Sequence, residues 1–120
     1  MLTQHLEQSP KEHRGGQISY LLLGQAGNAR SNRLTVTWVD GPPDSEQPTH
    51  SHADSEQAYV IVRGRGLMKV GDEHQEVTAG TLVVVPPGTP HSIRCLGEET
   101  LVYVSAASPS FEVPPGRWTE

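Results

Sequence analysis

From residue 18 to residue 105, short runs rich in Val, Leu, Ile, Thr and Tyr alternate with polar residues and are cut off by Gly, Pro or Asp. A period of two places successive side chains on opposite faces of an extended chain, so each run reads as a strand. The expected strands are Ile18 to Leu23, Leu34 to Val39, Ala58 to Val62, Leu67 to Val70, Gln75 to Thr78, Thr81 to Val85, Ser92 to Cys95 and Leu101 to Ser105. Gly71-Asp72 between two of them is a two-residue hairpin signal. Gly41-Pro42-Pro43-Asp44 and Pro86-Pro87-Gly88-Thr89-Pro90 are stiff loops, because proline fixes φ and removes an amide donor. No helical period of useful length interrupts the series. The pattern predicts an all-β sandwich or small barrel.

The ends differ from this centre. Residues 1–16 are polar, with Pro10 and Gly15-Gly16, and are expected to form an arm with little structure beyond one short helical turn. Residues 17–107 are the expected barrel. Residues 108–120 form a Pro-rich tail in which Phe111 and Trp118 are candidates to dock on the barrel or on a second subunit.

Composition narrows the function. The chain has 120 residues, enough for one core and too few for two. Its net charge of −5, with no basic run, argues against nucleic acid and anionic membrane surfaces as partners. The longest apolar runs, such as Leu82 to Val85, are too short to span a bilayer, and no secretory signal is visible at the N-terminus. Cys95 is the only cysteine, so no internal disulfide is possible. The expectation is a soluble, cytoplasmic domain.

Chemistry concentrates in two stretches. His50-Ser51-His52 carries two imidazoles one residue apart, which point the same way on an extended chain and can reach one ion. Gln57 follows and opens the run Ala58 to Val62, which closes on Gly64. In the second stretch, Gly80 feeds Thr81 to Val85, the proline–glycine loop stops it, and His91 opens the next strand. A stiff loop holds His91 in one orientation with little entropy left to lose, as a metal donor requires.

Together these stretches resemble the paired motifs of the cupin superfamily. The first motif matches at His50, His52 and Gly64, with its opening glycine displaced to about Gly41. The second matches at Gly80, Pro86, Gly88 and His91, with Cys95 in place of the usual Asn. The resemblance covers roughly residues 34 to 105. It implies a double-stranded β-helix, or jelly-roll barrel, often a homodimer, with a divalent ion held by three histidines and one further residue. The family's acidic ligand is replaced here. Counting back from Gly64, and by strand parity, Gln57 takes its place through the amide oxygen, and Glu56 is the alternative should it swing in from a bulge. Such a neutral donor set leaves the full charge of the ion unquenched. Imidazole-rich sites suit Zn, Ni, Cu or Fe, Mn suits them less, and the sequence does not choose.

Other candidates are weaker. Tyr59 shares the face of Gln57 and is a candidate cavity donor or weak acid, with a core aromatic as the competing role. Trp38, Met68 and Ile93 are candidates for lining a pocket, with plain barrel packing as the alternative. Cys95 shares parity with His91 and is expected to be buried. His5, His13, His74, Asp40, Asp44, Glu46 and Asp54 read as solvated. The expected function is a metal-dependent enzyme acting on a small chelating molecule, by Lewis-acid isomerase, lyase or cyclase chemistry or as a dioxygenase. The alternative is a small-ligand-binding or sensor barrel without turnover.

Overall fold

The structure is a computed structural model that describes residues 1–111. Trp118 and most of the expected tail lie outside the described residues. After a single 3-10 turn, Leu6–Gln8, nine strands follow: β1 Lys11–Arg14, β2 Gln17–Leu23, β3 Thr35–Gly41, β4 Glu56–Arg63, β5 Arg65–Val70, β6 Glu73–Thr78, β7 Leu82–Val85, β8 His91–Leu96 and β9 Leu101–Ser108. All pairings are antiparallel. One sheet has the order β1-β2-β3-β9-β4-β7 and the other β6-β5-β8. The all-β prediction holds, and the two sheets form the double-stranded β-helix of a jelly roll.

The eight expected strands are all present; several run a residue or more longer than expected, while β3 and β7 each begin one residue later. Val70 pairs with Glu73 across Gly71-Asp72, the turn expected there. Gly71 sits at φ 58°, a conformation that glycine adopts without a Cβ clash. The arm differs from expectation. Its one turn is capped by His5, whose Nδ1 accepts from the Glu7 amide at 3.2 Å, but Lys11–Arg14 is a full strand paired with β2. No hydrophobic residue occurs in Lys-Glu-His-Arg, so no apolar periodicity announces this strand. It is held by its backbone ladder and by the tight turn at Gly15 and Gly16, both at positive φ.

The core lies between the sheets toward the β5–β8 end. Tyr59, Ile61, Ile93, Leu101 and Tyr103 are fully or almost fully buried, with Val39, Met68, Val77, Val85 and Cys95 packed among them. Burial of each large side chain contributes roughly 1.5–3 kcal/mol. Cys95 faces this core and its thiol donates to the Glu99 carbonyl at 3.3 Å, which fits a structural thiol. Among the described residues no helix is long and apolar enough to cross a membrane.

A further segment completes the smaller sheet without forming a continuous strand. The Cys95 amide donates to the Ser45 carbonyl at 3.0 Å, and the Gln47 amide to the Ile93 carbonyl at 2.9 Å. His50 and His91 exchange both backbone hydrogen bonds, at 3.1 and 2.9 Å. Residues 45–50 thus run antiparallel beside β8. The hairpin turn of β1 and β2 seals the outside of this segment, where the Glu46 amide donates to the Gly15 carbonyl at 2.9 Å.

That contact is tight. A Cβ on Gly15 would stand 1.7 Å from the Glu46 carbonyl oxygen, and Gly15 sits at φ 58°. Gly15→Ala is expected to cost about 2 kcal/mol or more in urea unfolding, from left-handed strain plus a backbone clash. Gly80→Ala, at φ 92° with no atom within 4 Å of its Cβ, should lose only the conformational part, about 1 kcal/mol. Equal losses would show that the Gly15 contact with residue 46 carries no weight.

Candidate metal centre and its cavity

The pairing just described sets the site. His50 and His91 are cross-strand neighbours, so their rings meet, with centroids 4.3 Å apart. His52 lies two residues beyond the bridge, and its carbonyl accepts from the Gly88 amide at 2.8 Å, which fastens it to the Pro86–Pro90 loop. Its ring centroid is 5.2 Å from that of His50 and 5.9 Å from that of His91. One nitrogen of each ring lies within 4.8 Å of the others. That spacing would let the three rings hold one divalent ion between them.

Tautomers are set from behind. Nδ1 of His50 is 2.8 Å from the Pro48 carbonyl, and Nδ1 of His91 is 2.8 Å from the Thr89 carbonyl. Each carbonyl needs a donor, so the proton sits on Nδ1 and Nε2 keeps its lone pair, the arrangement of a metal-ligating histidine. Nε2 of His91 is buried and is the only such side-chain atom without a hydrogen-bond partner among the described residues. A buried acceptor left unpaired costs about 1–3 kcal/mol unless something fills its place. The residues present therefore fit a divalent ion. Burial, opposed by the Thr89 carbonyl and aided by neighbouring His50, pulls the His91 pKa below the ordinary histidine value. The ring is held neutral, as a ligand must be.

The other expected residues fall as follows. Gln57 is buried on the inner face of β4, and its amide nitrogen donates to the Ser105 hydroxyl at 3.1 Å. Glu56 is exposed on the opposite face, and the irregularity in β4 lies between Ile61 and Arg63, away from it. Tyr59 is fully buried. Its hydroxyl donates to Gln47 Oε1 at 2.9 Å, and its ring meets His91 edge-on at 5.8 Å and stacks on Tyr103. Burial, only partly offset by the Gln47 bond, drives its pKa far above the ordinary tyrosine value, so this hydroxyl stays protonated as a donor. Met68 and Ile93 belong to the closed core and do not border the cavity beside the triad.

Trp38 is on the other side of its strand from that cavity. Thr35, Thr37 and Val39 face inward, whereas Trp38 lies on the outer face, its indole donating to Asp40 at 3.1 Å. Phe111 docks on the barrel, stacked on His52 at 3.8 Å with the ring planes 12° apart.

A cavity of about 310 Å³ opens beside the triad, bordered by His50, His52, Gln57, Tyr59, Ser105 and Phe111 on one side. Its far wall comes from β1 and β2: Glu12, Arg14, Gln17 and Ser19. Glu12 is buried and Arg14 half-buried, with Arg14 Nε 3.7 Å from Glu12 Oε1. The sequence reasoning passed over these two because they sit in the polar arm. The available signal was their spacing of two ahead of a Gly-Gly turn.

The family profile described as "Cupin domain" matches residues 37–107. The chain belongs to the cupin family. An uncharacterized protein of Methanocaldococcus jannaschii is 37% identical over 70 residues, which is 58% of this chain and 56% of that protein. The cupin chain spans about 56–62% of the length of the curated relatives it matches. An RmlC-like cupin from Shewanella frigidimarina has a TM-score of 0.76 at 23% identity, with 93% of this chain and 94% of that one covered. A predicted oxalate decarboxylase from Thermotoga maritima has a TM-score of 0.77 at 18% identity, with 90% and 99% covered. At these identities the two structures speak for the fold of this cupin and nothing more.

The depressed pKa of His91 has a sign. A histidine whose folded pKa lies below its unfolded value near ~6.5 contributes stability above that value and loses it as pH falls through the folded pKa. Metal-free protein should therefore need less urea to unfold at about pH 5 than at about pH 7. His91→Gln should flatten part of that slope, and an unchanged slope would mean that His91 is not held neutral.

Proposed function

We propose that this cupin is a metal-dependent enzyme acting on a small molecule that chelates the ion. His50, His52 and His91 hold the ion, joined by Gln57 through its amide oxygen. The observation that carries this is the buried, unpartnered Nε2 of His91, set among two other imidazoles at the edge of a cavity. The bond from the Gln57 amide nitrogen to Ser105 supports the role of Gln57, because it leaves the oxygen as the atom for an ion. The exposed, outward position of Glu56 speaks against it. The donor set would accept Zn, Ni, Fe, Cu or Mn.

A bound divalent ion would act as a Lewis acid on a coordinated oxygen. Neutral donors leave its charge undiminished and stabilise high-valent iron poorly, which favours isomerase, lyase or cyclase chemistry over dioxygenation. The chain's own residues supply the rest. Tyr59 donates a hydrogen bond and cannot accept a proton near neutral pH. Glu12 is the carboxylate on the cavity wall, and a substrate proton can pass through its oxygens. Phe111 and the Pro86–Pro90 loop hold His52 in place. Structural relatives that include a predicted oxalate decarboxylase and DMSP lyases lend a fold-level analogy for an enzyme.

Metal analysis of protein prepared without a nickel column or chelator tests the reading. One divalent ion per chain is expected. His50→Ala and His91→Ala should abolish stoichiometric binding, and Gln57→Ala should weaken it at least about tenfold, whereas Glu56→Ala should leave it unchanged. Binding that survives loss of His91 would refute the centre. The reverse result for Gln57 and Glu56 would move the fourth donor to Glu56.

We also propose that the protein is a cytoplasmic homodimer. Its one cysteine, a buried thiol, suits a reducing compartment. Support for the dimer is the outer face of β4 and β7, where Val60, Val62, Leu82 and Val84 are exposed side by side. Val84→Lys should convert a dimer to a monomer in sedimentation velocity. A wild-type monomer at high concentration would refute it.

A further inference from the structure

Outside the triad, the cavity wall carries two charged side chains, Glu12 and Arg14, both brought in by β1. Alternation makes this possible. In the pairing with β2, Glu12 stands opposite Ser19 and Arg14 opposite Gln17, all four facing the cavity, while Lys11 and His13 face away. A strand built only of polar residues gains nothing by burying Glu12 in a core. It gains a reason to exist if its inner face meets a ligand.

The remaining wall is polar in a particular way. Ser19 and Thr37 present hydroxyls, while those of Thr35 and Ser105 already meet Ser110 and Gln57. Cavities that take apolar ligands are lined mainly by hydrophobic and aromatic residues with a few polar anchors; here polar side chains outnumber Val39, Pro48, Tyr59 and Phe111. The guanidinium meets Glu12 through Nε at 3.7 Å, too long for a strong hydrogen bond. Its two terminal nitrogens have the planar fork that matches a carboxylate. Glu12 cancels the charge of Arg14, so the wall has no net positive charge to draw a phosphate dianion, and a carboxylate would be held by the shape of the fork rather than by net charge.

We propose that β1 is the ligand-reading strand of this cavity. Arg14 receives the carboxylate of a small polyhydroxylated acid, and Glu12 and the wall hydroxyls take its hydroxyl groups. The inference rests on the metal-centre reading above, since the other end of the acid meets the ion. It adds the substrate class and names Arg14 as the residue that selects it. The cavity, about 310 Å³, is at the small end of ligand sites, in keeping with a single short acid rather than an oligomer.

The experiment uses D-gluconate and its uncharged counterpart D-glucitol as probes, titrated calorimetrically into zinc-loaded full-length protein. Zinc uptake is read first. Protein that takes no zinc overturns the metal-centre reading and this inference with it. With one zinc per chain, gluconate should bind at least about tenfold more tightly than glucitol, and excess inorganic phosphate should not displace it. Arg14→Gln should bring the two affinities within about twofold of each other while zinc affinity stays unchanged. Arg14→Lys, which keeps the charge and loses the fork, should retain part of the preference. A merely structural role for Arg14 would move the thermal midpoint and not the preference. Absence of gluconate binding, displacement by phosphate, or a preference that survives Arg14→Gln overturns the inference and leaves the metal centre standing.

Discussion

The pair of backbone hydrogen bonds between His50 and His91 is the constraint on which the site depends. It is a short piece of antiparallel ladder between the first residue of β8 and a segment that forms no strand of its own. Without it the His50-Ser51-His52 stretch would be an ordinary surface loop. With it, His50 is delivered beside His91, and His52 is carried to the loop whose Gly88 amide grips its carbonyl. The carbonyls of Pro48 and Thr89 then fix both tautomers. Prolines at 48, 86, 87 and 90 stiffen the same two segments. The order needed for an ion to be met by preset donors is therefore supplied by backbone.

The barrel divides its interior between two tasks. Toward β5 and β8 it is filled by aliphatic and aromatic side chains packed without polar atoms of consequence. Toward β1, β2 and β3 it is lined by hydroxyls, amides and a charge pair. At the boundary, Tyr59 and Tyr103 put their rings into the core and their hydroxyls against Gln47 and Gln17, at 2.9 and 2.7 Å. Gln17 in turn donates to the Ile93 carbonyl. These bonds satisfy the polar atoms that the cavity brings close to the core, which would otherwise each cost a desolvation penalty. Burial, against which the Gln47 bond works only in part, keeps both tyrosines neutral, so neither can serve as a base in the cavity.

Much of this was legible in the sequence. Turn residues and alternation located eight strands, and parity put Gln57, Tyr59 and Ile61 on one inner face, where all three are buried. The glycine at 71 and the loop ending at 90 were readable from their own chemistry. Three features were not. Residues 11–14 lack any apolar side chain, so a strand facing a wet cavity has no hydrophobic signature. Residues 45–50 contain Pro48 and no alternation, and their pairing with β8 is a long-range event. Trp38, a candidate for the pocket wall because small barrels leave a cavity beside a ligand site, lies on the outer face of β3. The inner face of that strand lines a polar cavity with Thr35 and Thr37, and Val36 and Trp38 lie outside on a face shared with Val104 and Ala106 of β9. The family resemblance located the histidines, and the geometry shows why each is where it is.

The most direct test is anomalous X-ray diffraction from a crystal of this protein grown with zinc and recorded on both sides of the zinc absorption edge. The account predicts one strong peak within bonding distance of residues 50, 52 and 91, with the amide of residue 57 turned toward it. Three imidazoles pointing apart, with no anomalous scatterer between them, would contradict it.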